Sequence, residues 1–135
     1  MQIQVQIHQV GVATAEGVAR THHVLIDRPT EKGGEDRGMM GGEYLLVALG
    51  GCFMSNLLAA IRAREAEIHD VRLEVTGTLA SAPSRFTEIE VVVGARCADP
   101  ALLEKLVEMA DRACICTNTL RPAVIPTFRI SAIER

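Results

Sequence analysis

The order of periodicities along this 135-residue chain predicts an α+β fold, with antiparallel sheets set around one long central helix. Three observations predict it. Residues 2–9, 68–80 and 86–96 alternate apolar and polar side chains with the period of half-buried strands. No charged residue falls between Glu43 and Arg62, so a helix there is apolar on nearly every face and has to be covered on all sides. The elements come as a group of strands, a helix, two strands, a helix and a last strand, which is not the strict alternation of a βαβ protein. With 135 residues and 48% apolar side chains, one domain spanning residues 1–135 is expected.

In chain order, Ile3, Val5 and Ile7 face one way in the first strand and Gln2, Gln4, Gln6 and His8 the other. Further strands are expected at Val12–Thr14 and Thr21–Ile26, joined by a turn at Glu16-Gly17 into an antiparallel meander. Residues 27–42, DRPTEKGGEDRGMMGG, are crowded with charges and glycines, hold no regular element and read as a connecting loop of the length that often carries function. The central helix follows over Gly41–Arg64. Strands at Ile68–Ala80 and residues 86–96 form a hairpin around the Pro83 loop. Asp99 then caps a helix with Pro100 in its first position and Leu103, Leu106, Val107, Ala110 and Ala113 on one stripe. A short turn or helix at Thr117–Leu120 ends before Pro122, and Thr127–Ile133 closes the chain as a strand with Phe128, Ile130 and Ala132 on one face. One sheet would leave half of the central helix uncovered, so a homodimer with these helices near the interface is expected.

Composition narrows the partners. Fourteen basic against seventeen acidic residues, without a basic run, argue against nucleic acid and anionic membranes. The aromatics Tyr44, Phe53, Phe86 and Phe128 are too few for base stacking. Gly50, Gly51, Ser55 and Asn56 interrupt the apolar run, which argues against a membrane span, and MQIQVQIHQV lacks the pattern of a signal peptide, so a cytoplasmic protein is expected. His8, His22 and His23 read as solvated strand residues. No metal is expected: Cys97, Cys114 and Cys116 lack the paired spacings of a structural zinc site.

The chemistry then rests on thiols. Cys52 lies in the middle of the apolar helix, as core filler or as a reactive group. A helix broken at Gly50-Gly51 would put Cys52 at the start of a second half, where free N–H groups and the dipole favour thiolate. A thiolate attacks peroxide oxygen to give a sulfenic acid that a second thiol resolves as a disulfide. Cys114, on the apolar stripe four residues past Ala110, is the best placed resolver.

DRPTEKGGEDRG, EYLLVALGGCF and ADRACICTNTL together resemble the OsmC/Ohr family of osmotically inducible and organic-hydroperoxide resistance proteins, over essentially the whole chain. Cys52 matches the family's first cysteine and Cys114 the second, in its C-P-x-S-N-T-L motif. The resemblance implies a ββ-α-ββ-α-β fold in an intertwined homodimer. It also implies reduction of small apolar hydroperoxides in oxidative-stress defence by Cys52 as peroxidatic and Cys114 as resolving residue. No bound cofactor is implied, and a dithiol such as dihydrolipoamide would recycle the thiols. Met39, Met40, Phe53 and Met54 are expected to give the thiol an apolar setting. The family's carboxylate falls on Gly42, with Glu43 one position on, a 100° turn on a helix. Arg20 is the counterpart of the family's hairpin arginine, with Arg28 and Arg37 as alternatives. Cys116, in place of an aliphatic residue, competes as resolver, and Ile115 replaces the proline. The alternative is an OsmC-like dimer without peroxidase activity that binds a small apolar ligand or senses redox state.

Overall fold

Backbone pairing in the computed structural model, which describes residues 1–134 and leaves the side chains of residues 132–134 aside, divides the chain into two units, Met1–Leu45 and Leu46–Arg135. The first unit is built on a three-stranded antiparallel meander of β1 (Gln6–Gln9), β2 (Ala15–Ala19) and β3 (His22–Ile26). β1 is shorter than the alternation at residues 2–9 predicts, because Gln6 pairs with Val18 near the end of β2 and no strand remains opposite residues 2–5. The second strand falls at Ala15–Ala19 instead of Val12–Thr14. Its hairpin turn lies at Arg20-Thr21, not at Glu16-Gly17, and Arg20 takes the left-handed conformation with φ 56°. Gly17 is a strand residue opposite Val24. A Cβ there would come within 3.3 Å of a Val24 methyl and 3.4 Å of Ile26 Cδ1, so cross-strand packing, not turn geometry, explains this glycine.

Residues 27–40 form the expected loop, with one 3-10 turn at Thr30–Lys32 and a single parallel bridge from Ile26 to Met39. A buried carboxylate organises it. Asp27 accepts hydrogen bonds from the Thr14 hydroxyl (2.9 Å) and from the backbone N–H groups of Arg28 (2.7 Å), Arg37 (3.2 Å) and Glu35 (3.4 Å).

Helix α1 (Gly41–Ala63) begins in the first unit, where the Met40 N–H donates to Glu43 Oε1 (2.9 Å) as half of a capping box, and the Tyr44 hydroxyl donates to the Leu25 carbonyl (2.6 Å). The helix is continuous through Gly50 and Gly51, as the expected Gly41–Arg64 helix requires, and has no second half starting at Cys52. A Cβ on Gly50 would stand 2.9 Å from a Val75 methyl, so this glycine lets the helix approach the sheet closely.

In the second unit, β4 (Ile68–Ala80) and β5 (Arg85–Cys97) pair antiparallel as expected. The last strand, β6 (Thr127–Glu134), pairs with β5 in parallel, so this sheet is mixed and the expectation of antiparallel sheets is corrected here. The reason is the connection: α2 (Pro100–Ala113) and α3 (Ile115–Leu120) carry the chain back across the sheet, as a parallel pair requires. Asp99 caps α2 by accepting the Leu102 N–H, with Pro100 in the first turn. The core joins Leu49, Phe53, Leu57 and Ile61 of α1 to Ile89, Val91 and Val93 of β5 and to Leu103, Leu106, Val107 and Ala110 of α2. Burying each Leu or Phe fully stabilises by about 1.5–3 kcal/mol. Phe53 packs on Phe128 with ring centroids 4.6 Å apart, so it serves the core and not a pocket around the thiol. Phe128 and Ile130 flank this core as expected; the side chain of Ala132 lies outside the described residues.

By length and composition alone α1 is long and apolar enough to cross a membrane. Its Leu49–Phe53–Leu57–Ile61 stripe, however, is core of the second unit. The opposite face, with Val47, Ala48, Gly51, Ser55, Leu58 and Ala59, is exposed in the single chain.

Candidate functional site: a three-thiol cluster

Three of the four cysteines meet in the second unit. Cys52 is half-buried on α1, while Cys114 is fully buried at the residue that ends α2 and precedes α3, and Cys116 is half-buried in the first turn of α3. The thiol of Cys116 lies 3.6 Å from the Ala48 carbonyl oxygen, which sets it against α1 one turn before Cys52.

The α2–α3 corner is held by the residues after the cysteines. Thr117 is fully buried, and its hydroxyl lies 3.0 Å from the Asp111 carbonyl and 3.2 Å from that of Cys114. Asn118 donates its amide N–H to the Arg112 carbonyl (3.0 Å). These side chains add to the backbone bonds at the corner, where the Asp111 carbonyl also accepts the Cys114 N–H and the Cys114 carbonyl the Asn118 N–H. Arg121 reaches back to Asp111 Oδ1 (3.1 Å) and Asn118 Oδ1 (3.2 Å). Sequence reasoning missed Arg121; its spacing of ten residues from Asp111 becomes a contact only when two helices fold against each other.

The fixed corner aims its donors at Cys52. Burial pushes the Cys52 thiol up, but the Cys116 N–H, the Cys114 and Cys116 thiols and the Ile115 N–H outweigh it and hold the pKa below its ordinary 9.0. The groups that lower the Cys52 pKa belong to α3 and its preceding residue, not to a broken α1. Cys114 shifts the opposite way. Burial raises it, against the opposing N–H of Thr117, and donation to Cys52 and the charge there raise it further. Cys116 is pushed up to about 11, by burial first and then by the charge on Cys52 and donation to it. The cluster thus holds one ionisable thiol and two protonated donors.

The other expected residues belong to other elements. Arg20, Arg28 and Arg37 belong to the first unit: Arg20 forms the β2–β3 turn, and Arg28 and Arg37 give their backbone N–H groups to Asp27. Glu43 is engaged with the Met40 N–H at the start of α1. Cys97 donates its thiol to the Asp99 carbonyl at 3.1 Å in the core, apart from a C-x-C metal set. Among the described residues no group of three or more His, Cys, Asp or Glu side chains is placed to hold a metal ion.

A family model described as OsmC-like protein matches residues 33–128. No curated protein sequence matches the chain. Solved structures share the fold at low identity. A hypothetical protein from Aquifex aeolicus VF5 superposes with a TM-score of 0.85 at 17% identity, covering 100% of this chain and 99% of that one. An OsmC-like protein from Mycoplasma pneumoniae gives 0.84 at 14% identity, with 100% and 99% covered. The organic hydroperoxide resistance protein OhrB of Bacillus subtilis gives 0.71 at 17% identity, with 97% and 98% covered.

Proposed function

From the premise that this chain belongs to the OsmC-like family, we propose that it reduces organic hydroperoxides through Cys52 and Cys114, working as one OsmC-like domain in a cytoplasmic homodimer. One observation carries the reading: Cys52 has its pKa lowered by groups that include a second thiol, and that thiol, Cys114, is held protonated beside it.

The steps follow from those states. The Cys52 thiolate attacks the distal oxygen of the hydroperoxide, the O–O bond breaks, and the leaving alkoxide takes a proton to become alcohol. Cys52 is then a sulfenic acid. The Cys114 sulfur attacks it, water leaves with the Cys114 proton, and a disulfide closes. A dithiol reductant such as dihydrolipoamide attacks the bridge, becomes a cyclic disulfide and returns both thiols. An apolar substrate is favoured by Ile115, which presents its N–H to Cys52 while its side chain is 67% exposed.

The test is hydroperoxide consumption with dihydrolipoamide. Cys52→Ser is expected to reduce the rate to the background of the dithiol alone. A rate equal to wild type for that variant ends the reading. A second reading, an OsmC-like dimer without peroxidase activity, has Gly42 and the capping role of Glu43 in its favour, since neither supplies a carboxylate free for catalysis. It predicts wild-type protein no faster than Cys52→Ser.

A further inference from the structure

We propose that Cys116 is a second resolving thiol, forming with Cys52 the disulfide that the dithiol reductant opens. The inference rests on the peroxidase reading above and goes beyond it in assigning the sulfur through which the enzyme is recycled.

The first support is placement. The Cys116 thiol lies against α1 at the Ala48 carbonyl, one turn before Cys52 on the same helix. The second is access. Cys114 is fully buried, whereas Cys116 and Cys52 are both half-buried, so a bridge between those two offers sulfur that a soluble dithiol reaches. The third is the leaving group. Attack at the Cys116 sulfur expels Cys52, the thiol of the cluster whose anion is stabilised; attack at Cys52 in a Cys52–Cys114 bridge expels Cys114, whose anion is disfavoured. Oxidation itself prepares Cys116. In the reduced protein the charge on Cys52 helps keep the Cys116 thiol protonated, and that charge is gone once Cys52 is a sulfenic acid or half of a disulfide.

The chemistry balances with no reactant beyond those named. Cys52 sulfenic acid and the Cys116 thiol give the Cys52–Cys116 disulfide and water. Where Cys114 has closed first, the Cys116 sulfur attacks the Cys52 sulfur of that bridge while its proton passes to the departing Cys114 sulfur, so Cys114 leaves as a thiol and not as the disfavoured anion. One thiolate of the dithiol then bonds to the Cys116 sulfur, the S–S bond breaks and Cys52 departs as thiolate. The second thiol of the reductant closes its own ring and frees Cys116.

The experiment compares wild type, Cys114→Ser, Cys116→Ser and the double variant after one equivalent of cumene hydroperoxide, with bridges mapped by alkylation and peptide mass. Cys114→Ser is expected to form the Cys52–Cys116 bridge and to turn over at least about tenfold faster than the double variant. Cys116→Ser is expected to form the Cys52–Cys114 bridge but to be reduced by dihydrolipoamide at least about tenfold more slowly than wild type. The proposal is overturned if Cys114→Ser stalls as Cys52 sulfenic acid, trapped by dimedone, with Cys116 still alkylatable. It is equally overturned if the Cys116→Ser bridge is reduced at the wild-type rate, a readout that does not need the Cys114 variant to fold. Diamide treatment separates the two layers. Hydroperoxide that leaves Cys52 unmodified in wild type, while diamide still bridges Cys52 to Cys116, overturns the peroxidase reading and the resolving role together but confirms the thiol pairing; absence of that bridge with diamide sinks the pairing as well.

Discussion

Asp27 is 2% exposed and ties together positions from Thr14 to Arg37. Burial pushes its carboxyl up, but the N–H of Arg28, the Thr14 hydroxyl and the N–H groups of Arg37 and Glu35 outweigh this and hold the pKa below 3.8. A group depressed in the folded state stabilises fully above its unfolded value, and that contribution is lost as pH falls through the folded value. Acid unfolding followed by circular dichroism should therefore show wild type losing an advantage over Asp27→Asn as pH drops below about 4, with the gap constant from about pH 5 to 7. A gap unchanged down to pH 2 would contradict the assignment. The same reasoning separates the cysteines, where what differs is the direction of the shift: Cys52 down, Cys114 and Cys116 up. The positions of Cys52 on an apolar helix and of Cys114 at the end of an apolar stripe were legible in the sequence. The source of the thiolate stabilisation was not, because it depends on backbone N–H groups brought up by α3.

At the scale of elements, the two adjacent glycines of α1 have opposite surroundings. Gly50 is buried with a Val75 methyl 2.9 Å from where its Cβ would stand, while Gly51 has nothing within 4 Å. Gly51→Ala should gain up to about 1 kcal/mol from helix propensity alone. Gly50→Ala sets that gain against overpacking of about 1–3 kcal/mol and should come out neutral to destabilising. Urea denaturation of both variants checks the ordering; a Gly50→Ala protein more stable than Gly51→Ala would refute it. The sequence marked both glycines as helix weakeners, since propensity does not see a neighbouring sheet. The long strands β4 and β5 were legible because period-two alternation runs through Val71, Leu73 and Val75 in one and Ile89, Val91 and Val93 in the other. The short strands of the meander were not. Gly17 reads as a turn from composition, and only the register Gly17↔Val24 reveals it as a strand position.

For the whole molecule, the single chain leaves large apolar side chains in solvent at one end and on α1: Ile3, Val5 and Ile7 before and within β1, and Val47 and Leu58 on the outer face of the helix. The all-round apolar helix that the sequence predicts is therefore covered on one side only within one chain. Ala48, Gly51, Ser55 and Ala59 on the same face are small enough to admit a close neighbour. Sedimentation equilibrium at micromolar concentration should give a dimer, and Gly51→Leu should shift it toward monomer. A wild-type monomer under those conditions would count against the homodimer. If the second copy packs on Gly51, the gain expected for Gly51→Ala should appear only where the dimer has dissociated, because a methyl group there also meets the partner.

The hydrogen bonds of Asp27 have one more consequence, for the tolerance of the chain to added length. They clamp Arg28, Glu35 and Arg37, and Gly34 is held as well, since a Cβ there would collide with the Arg28 carbonyl oxygen. The 3-10 turn at Thr30–Lys32 has no buried residue, and Gly33 beside it has open space around it. Doubling a loop costs only about 0.6 kcal/mol in closure entropy. The junction of Lys32 and Gly33 is thus the place where a peptide tag or reporter can be inserted at the cost of the Gly33 and Gly34 N–H bonds to the Thr30 and Pro29 carbonyls, while the four hydrogen bonds to Asp27 stay in register.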